Sequence, residues 1–225
     1  LAIERGELDG DCGSFESIPA AWVKEKKINI THRNSKGKVP GVDVPYILDL
    51  AKTDEQKRVL EGLLGRRGGR IPGPYRFTLH APAVTEYMHP FGELLRLRST
   101  FPLRLSELAI IVTARMWDCD YVFHSHSPNG VKNGLPQSVV DSLARGERPV
   151  FEQEDEKAIY DYLSELFEKH AISDATHARA KALFGIPGIV ELTALSGYYG
   201  MVAMQLLAHE MPLPEGAKPP LEPRG

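Results

Sequence analysis

The chain has 225 residues, of which 42% are hydrophobic and 25% charged, and its formal net charge at pH 7 is -3. This composition is typical of a soluble globular protein, and the mixed charge indicates neither a nucleic-acid partner nor an anionic membrane. No apolar run reaches the roughly 20 residues that a membrane-spanning helix needs. The length favours one domain with extensions at both ends.

Cys12 and Cys119 are the two cysteines, and they form neither a CxxC pair nor a zinc-ligand pattern. This usage is typical of a reducing compartment, so we expect a cytoplasmic protein. A Cys12–Cys119 disulfide is the alternative. Because the sequence begins at Leu1 rather than Met, we also expect that upstream residues were trimmed or processed.

Residues 1–52 predict an irregular N-terminal arm, because Gly, Pro and charged residues alternate there without a helical period. The arm carries Trp22, Tyr46 and Ile47. We expect it to pack on the body of the protein or on a neighbouring subunit.

The segment 53–211 has helical periodicity, and its first half predicts three features. Thr53 and Gln56 form a capping box at the start of the first helix. Residues 65–74 form a basic loop rich in Gly and Pro. Residues 106–119 are apolar nearly all round, which predicts a buried central helix.

The second half of the domain predicts further helices. Pro136 starts a short helix that Gly146 ends, and residues 154–170 have apolar positions at helical spacing. Ser173 caps a helix that runs to about Phe184, and a long apolar helix follows over 188–211. The tail, 212–225, contains five prolines and is expected to be extended. Because no segment alternates like a strand, we predict an all-α helical bundle.

Glu107, Cys119 and His126 are the candidate catalytic residues. On one continuous helix, Cys119 and His126 would differ by only about 20° around the axis, with Val122 between them. A buried glutamate is costly unless it is paired or protonated. A histidine that exchanges a proton with Glu107 would provide such a partner.

Three segments resemble, in the same order, the superfamily of carboxymuconolactone decarboxylases and alkylhydroperoxidase D. They are 107–126 (ELAI to CDYVFHSH), 133–146 (NGLP to LARG) and 73–82 (GP to LHAP). The resemblance covers roughly residues 65–219. It implies a helical bundle of the alkylhydroperoxidase D-like type that assembles as a trimer or hexamer, with a dimer as the alternative. The apolar helix over 188–211 also favours a homo-oligomer.

The peroxidase branch of this superfamily has the motif Glu-x11-Cys-x2-Cys-x3-His. In this chain Glu107, Cys119 and His126 stand at those spacings, and Val122 replaces the second cysteine. A two-cysteine peroxidase needs that second thiol to resolve the sulfenic acid as a disulfide. The resemblance therefore disfavours two-cysteine peroxidase activity.

The decarboxylase branch implies a cofactor-free lyase acting on a small carboxylated lactone or aromatic-derived compound. His126 would be the acid that protonates carbon, and Glu107 would orient it. The substrate-binding candidates are Tyr75, Arg76, His80, Tyr121 and His124. Without an HExxH or similar spacing, we predict no metal and no other cofactor.

Two other functions stay open. One is a single-cysteine hydroperoxide reductase that uses Cys119 and an external thiol. The other is a non-catalytic oligomeric binding protein that reuses the fold.

Overall fold

The computed structural model describes residues 51–66, 73–214 and 217–223. Within these ranges all regular secondary structure is helical, which confirms the all-α prediction. Nearly all of the predicted arm, including Trp22, Tyr46 and Ile47, lies outside the described residues, as does most of the basic loop.

The chain divides into two compact units. The first contains α1 (Asp54–Arg66), α2 (Gly73–Thr78) and the start of α3 (Pro82–Leu97), up to Tyr87. Its capping box is confirmed: the Gln56 backbone N–H donates to Thr53 Oγ1, and the Thr53 N–H donates to Gln56 Oε1, each over 3.1 Å. Arg58 on α1 forms a bidentate ion pair with Glu86 on α3.

The second unit contains the rest of α3 and five further helices. These are α4 (Leu103–Met116), α5 (Asp120–Lys132), α6 (Gln137–Ala144), α7 (Glu154–Lys169) and α8 (Asp174–Ala208). α4 packs against α5, α6, α7 and α8, and its residues 105–115 are buried. The prediction of a buried central helix is confirmed.

The central helix ends earlier than the sequence predicts. Trp117 caps α4, Asp118 has a left-handed backbone with a φ of 49°, and Cys119 is extended before α5 begins. The Cys119 N–H donates to the Ala114 carbonyl over 2.9 Å, which closes this turn. The predicted extension of the central helix to Cys119 is therefore wrong, and the segment from Glu107 to His126 folds into a helical hairpin.

The predicted ends of the later helices are found close to their sequence signals. Pro136 is the N-cap of α6, and Gly146 follows its last turn with a φ of 75°. The Ser173 hydroxyl caps α8 by accepting the Thr176 N–H. α8 is interrupted at Gly185, whose φ of 67° and ψ of 176° are not helical. The break lies between the two helices predicted there.

The C-terminal strap, residues 217–223, is held against the hairpin of α4 and α5. The Leu221 N–H donates to Asp120 Oδ1 over 3.1 Å, at the start of α5. Arg115, near the end of α4, donates from Nη1 to the Glu222 carbonyl over 2.8 Å. The Glu222 N–H donates to the Ala144 carbonyl over 2.9 Å. The strap thus joins both sides of the turn and the end of α6.

Within the second unit, α3 and α8 approach closely at Gly92. A Cβ atom at this position would overlap with the ring and hydroxyl of Tyr198, which is buried. The Tyr198 ring meets Tyr199 edge-on at 5.3 Å, and Tyr199 meets His126 edge-on at 5.0 Å between centroids. Gly92 therefore permits the packing that leads from α3 to His126.

We expect Gly92→Ala to lower the free energy of unfolding by about 1–3 kcal/mol, because a buried ring must move to admit the methyl group. Denaturant unfolding followed by circular dichroism measures this change. In a Tyr198→Leu background, which shortens the side chain, the same substitution should cost at least about 1 kcal/mol less. An equal cost in both backgrounds would show that Tyr198 is not the obstacle.

Candidate functional site

The hairpin brings Glu107 on α4 against His126 on α5. Glu107 Oε2 lies 2.6 Å from His126 Nδ1. The Glu107 side chain is only 1% exposed and that of His126 13% exposed. The turn at Asp118 makes this contact possible, because it folds α5 back along α4. Two of the three predicted catalytic residues are thus in direct contact.

Arg96, in the last turn of α3, is the second partner of Glu107. Its Nε and Nη2 atoms donate to Glu107 Oε1 over 2.9 and 2.8 Å. Arg96 is not among the residues that we predict from the sequence. A buried carboxylate indicates that a positively charged side chain lies beside it. Sequence spacing does not distinguish Arg96 from the nearby Arg98 as that partner.

The protonation states of the pair follow from its surroundings. Burial raises the pKa of Glu107, yet His126 and Arg96 together hold that pKa below its ordinary value. Burial lowers the pKa of His126, and the hydrogen bond and charge of Glu107 offset only part of this effect. At neutral pH we therefore assign an ionised Glu107 and a neutral His126.

This assignment selects the tautomer of His126. Since an ionised carboxylate can only accept, the hydrogen of the neutral imidazole lies on Nδ1 and is donated to Glu107. Nε2 then carries a lone pair and can accept a proton. Tyr199 on α8 packs edge-on against the imidazole and restricts the orientation of the ring. The arrangement can take up a proton at Nε2 and release it again.

Cys119 is the N-cap residue of α5 and is 1% exposed. It forms no disulfide with another described residue, and Cys12, its predicted alternative partner, lies outside the described residues. Burial raises the pKa of the Cys119 thiol, and backbone N–H groups of Val122 and Tyr121 offset this only in part. Within the described residues no hydrogen bond joins Cys119 to Glu107 or His126.

The substrate-binding candidates are distributed over both units. Tyr121 and His124 lie on α5, but by helical geometry they are separated from His126 by about 140° and 160° around the axis, so neither lies on its face of the helix. The other three belong to the first unit. Tyr75 and Arg76 lie on α2, where Tyr75 is buried, and His80 is exposed in the turn after α2.

Residues 51–66, 73–214 and 217–223 contain no group of three or more His, Cys, Asp or Glu side chains arranged to hold a metal ion. None of the helices described here is long and apolar enough to cross a membrane.

Comparison with known proteins does not assign a family. No protein-family model matches the chain, and no curated protein is significantly similar to it.

The buried thiol predicts slow alkylation of the native protein. In a Cys12→Ser variant, we expect iodoacetamide at pH 8 to modify folded Cys119 at least roughly 100-fold more slowly than unfolded Cys119, because reaction requires both exposure and a thiolate. Mass spectrometry against time measures both rates, with the guanidinium-unfolded variant as the control. Similar rates in the two states would indicate an accessible thiolate.

Proposed function

We propose that the chain is a carboxymuconolactone decarboxylase-like enzyme, built on a helical bundle of the alkylhydroperoxidase D-like type. In this proposal it is a cofactor-free lyase that acts on a small carboxylated lactone or aromatic-derived compound. The observation that carries the proposal is the contact of the His126 imidazole with the buried Glu107 carboxylate. The order of the three family-like segments supports it.

The proposed reaction needs one proton per turnover. When a carboxylate leaves as CO2, the electron pair of the broken bond is delocalised into the unsaturated lactone, and a carbon atom must then accept a proton. His126 is neutral at rest, so Nε2 first takes this proton from solvent. The negative charge of a bound carboxylate would favour the imidazolium form.

Glu107 remains the ionised partner of His126 throughout the proposed reaction. It accepts the hydrogen of Nδ1, holds the imidazole in place and stabilises the imidazolium that forms when Nε2 is protonated. The imidazolium then transfers the proton from Nε2 to the substrate carbon and returns to its neutral form. The products are CO2 and the lactone or aromatic-derived compound, in which a carbon atom has accepted the proton.

The single-cysteine reductase is the weaker proposal. A peroxide-reducing cysteine must react as a thiolate, whereas burial raises the pKa of Cys119. A non-catalytic binding protein is also less well supported. Burial of a carboxylate and an imidazole costs desolvation free energy for both groups. A protein with no catalytic role would therefore gain little stability from this pair.

Substitution of His126 tests the lyase proposal. We expect His126→Asn to fold normally, because the Asn amide can still donate to Glu107, and to lose roughly 10²–10⁴-fold in kcat because Nε2 is absent. Release of CO2 from a panel of carboxylated lactones and aromatic-derived acids measures the rate. In D2O the product should carry one deuterium at the carbon that accepted the proton.

The matched control is His177→Asn, an exposed position in the first turn of α8 that should keep full activity. Wild-type protein that turns over no member of the panel would contradict the proposal. So would a His126→Asn variant as active as the wild type.

We also propose that the protein forms a homo-oligomer through α8. Ile186, Val190 and Met204 are about half exposed or more, and positions 186, 190 and 204 fall within about 40° on one face of the helix. An apolar stripe of this kind favours burial against another copy.

Sedimentation equilibrium should give a mass at least twice the 25.0 kDa of one chain. A Val190→Glu, Met204→Glu double variant should shift the protein toward monomer, because two carboxylates would become buried. The control is Val150→Glu, which changes another highly exposed valine outside the helix. A monomeric wild-type protein would contradict the proposal.

A further inference from the structure

The two oxygens of Glu107 serve different partners. Oε1 accepts two hydrogen bonds from Arg96, and Oε2 faces His126 Nδ1. The carboxylate is almost fully buried. A buried carboxylate remains ionised only if charged or hydrogen-bonding partners replace its lost hydration. Arg96 supplies both a positive charge and two of the three donors to this group.

Removal of Arg96 would leave His126 as the partner of Glu107, and two proton arrangements could then relieve the buried charge. In the first, Glu107 becomes protonated and donates to Nδ1, so the imidazole hydrogen must lie on Nε2. In the second, His126 takes up a proton and both ring nitrogens carry hydrogen. In either arrangement Nε2 can no longer accept a proton.

The groups that face His126 come from three other helices. Glu107 lies on α4, Arg96 on α3 and Tyr199 on α8. Of these three, Arg96 is the cation. Burial lowers its pKa, but Tyr199 and Glu107 more than offset this effect, so the guanidinium stays charged. Its positive charge also disfavours a second positive charge on His126.

We propose that Arg96 is a positioning residue that keeps Glu107 ionised and thereby leaves Nε2 of His126 free to accept a proton. This inference rests on the proposed function only for the use of Nε2 in the reaction. The tautomer itself exists in the resting protein. It can therefore be measured without any substrate.

The test is a pH titration by ¹⁵N NMR of the intact protein labelled at histidine. In the wild type we expect hydrogen on Nδ1, none on Nε2 at pH 7, and a His126 pKa below the ordinary value of about 6.5. Arg96→Met and Arg96→Gln should protonate Nε2 at pH 7. The change would be either a tautomer switch or a rise of the pKa by about one unit or more.

Two further variants separate this role from general destabilisation. Arg96→Lys keeps the positive charge and should retain the wild-type tautomer. Arg98→Met removes a nearby arginine that pairs with Glu93 instead, and it should leave the His126 signals unchanged. The His126 signal assignments come from the His126→Asn spectrum.

The proposal is overturned if a folded Arg96→Met or Arg96→Gln variant keeps the wild-type tautomer and pKa. It is also overturned if Arg96→Lys switches the tautomer as fully as Arg96→Met does. The proposed lyase fails separately: wild-type protein with the expected tautomer but no turnover would reject the reaction and leave the role of Arg96 standing.

Discussion

A buried carboxylate is the constraint around which the second unit is arranged. Glu107 stands in the central helix with almost no exposure to solvent, so its charge must be balanced inside the protein. Arg96 and His126 provide that balance from two different helices. The hairpin of α4 and α5 and the placement of α3 are therefore electrostatic requirements as well as features of packing.

Other contacts hold these helices in place. Gly92 lets α3 approach Tyr198 on α8, and Gly200 on α8 similarly leaves room for the indole of Trp117 beside the turn. The C-terminal strap bonds to Asp120 and Arg115, which lie on either side of that turn. The contacts of Trp117, Arg115 and Asp120 hold the turn between α4 and α5, and the contact at Gly92 continues through Tyr198 and Tyr199 to His126.

The protonation states assigned at the site suit the proposed proton transfer better than thiol chemistry. His126 presents an unprotonated nitrogen in the assigned tautomer, and the pKa of Glu107 is held low by the same partners that fix its orientation. Cys119 occupies a position at which the peroxidase motif has a cysteine, yet burial raises its pKa. The motif places both Cys119 and His126 at catalytic positions. The raised pKa of the Cys119 thiol argues against thiol chemistry, whereas the assigned tautomer of His126 is compatible with proton transfer.

Local signals in the sequence determined the helices and many of their ends. The all-α class, the capping box at Thr53, the break near Gly185 and the buried character of 105–115 follow from periodicity and from short-range hydrogen bonding. These features could be predicted because each depends on residues within a few positions of one another.

Only the tertiary structure decided the partners of Glu107. The sequence selected Glu107 and His126 by motif spacing, but their contact depends on the turn between α4 and α5, where Asp118 has a left-handed backbone. Arg96 could not be predicted, because it lies on a separate helix and a charge balance does not specify which arginine provides it. Such contacts depend on how helices pack, and a one-dimensional pattern does not contain that information.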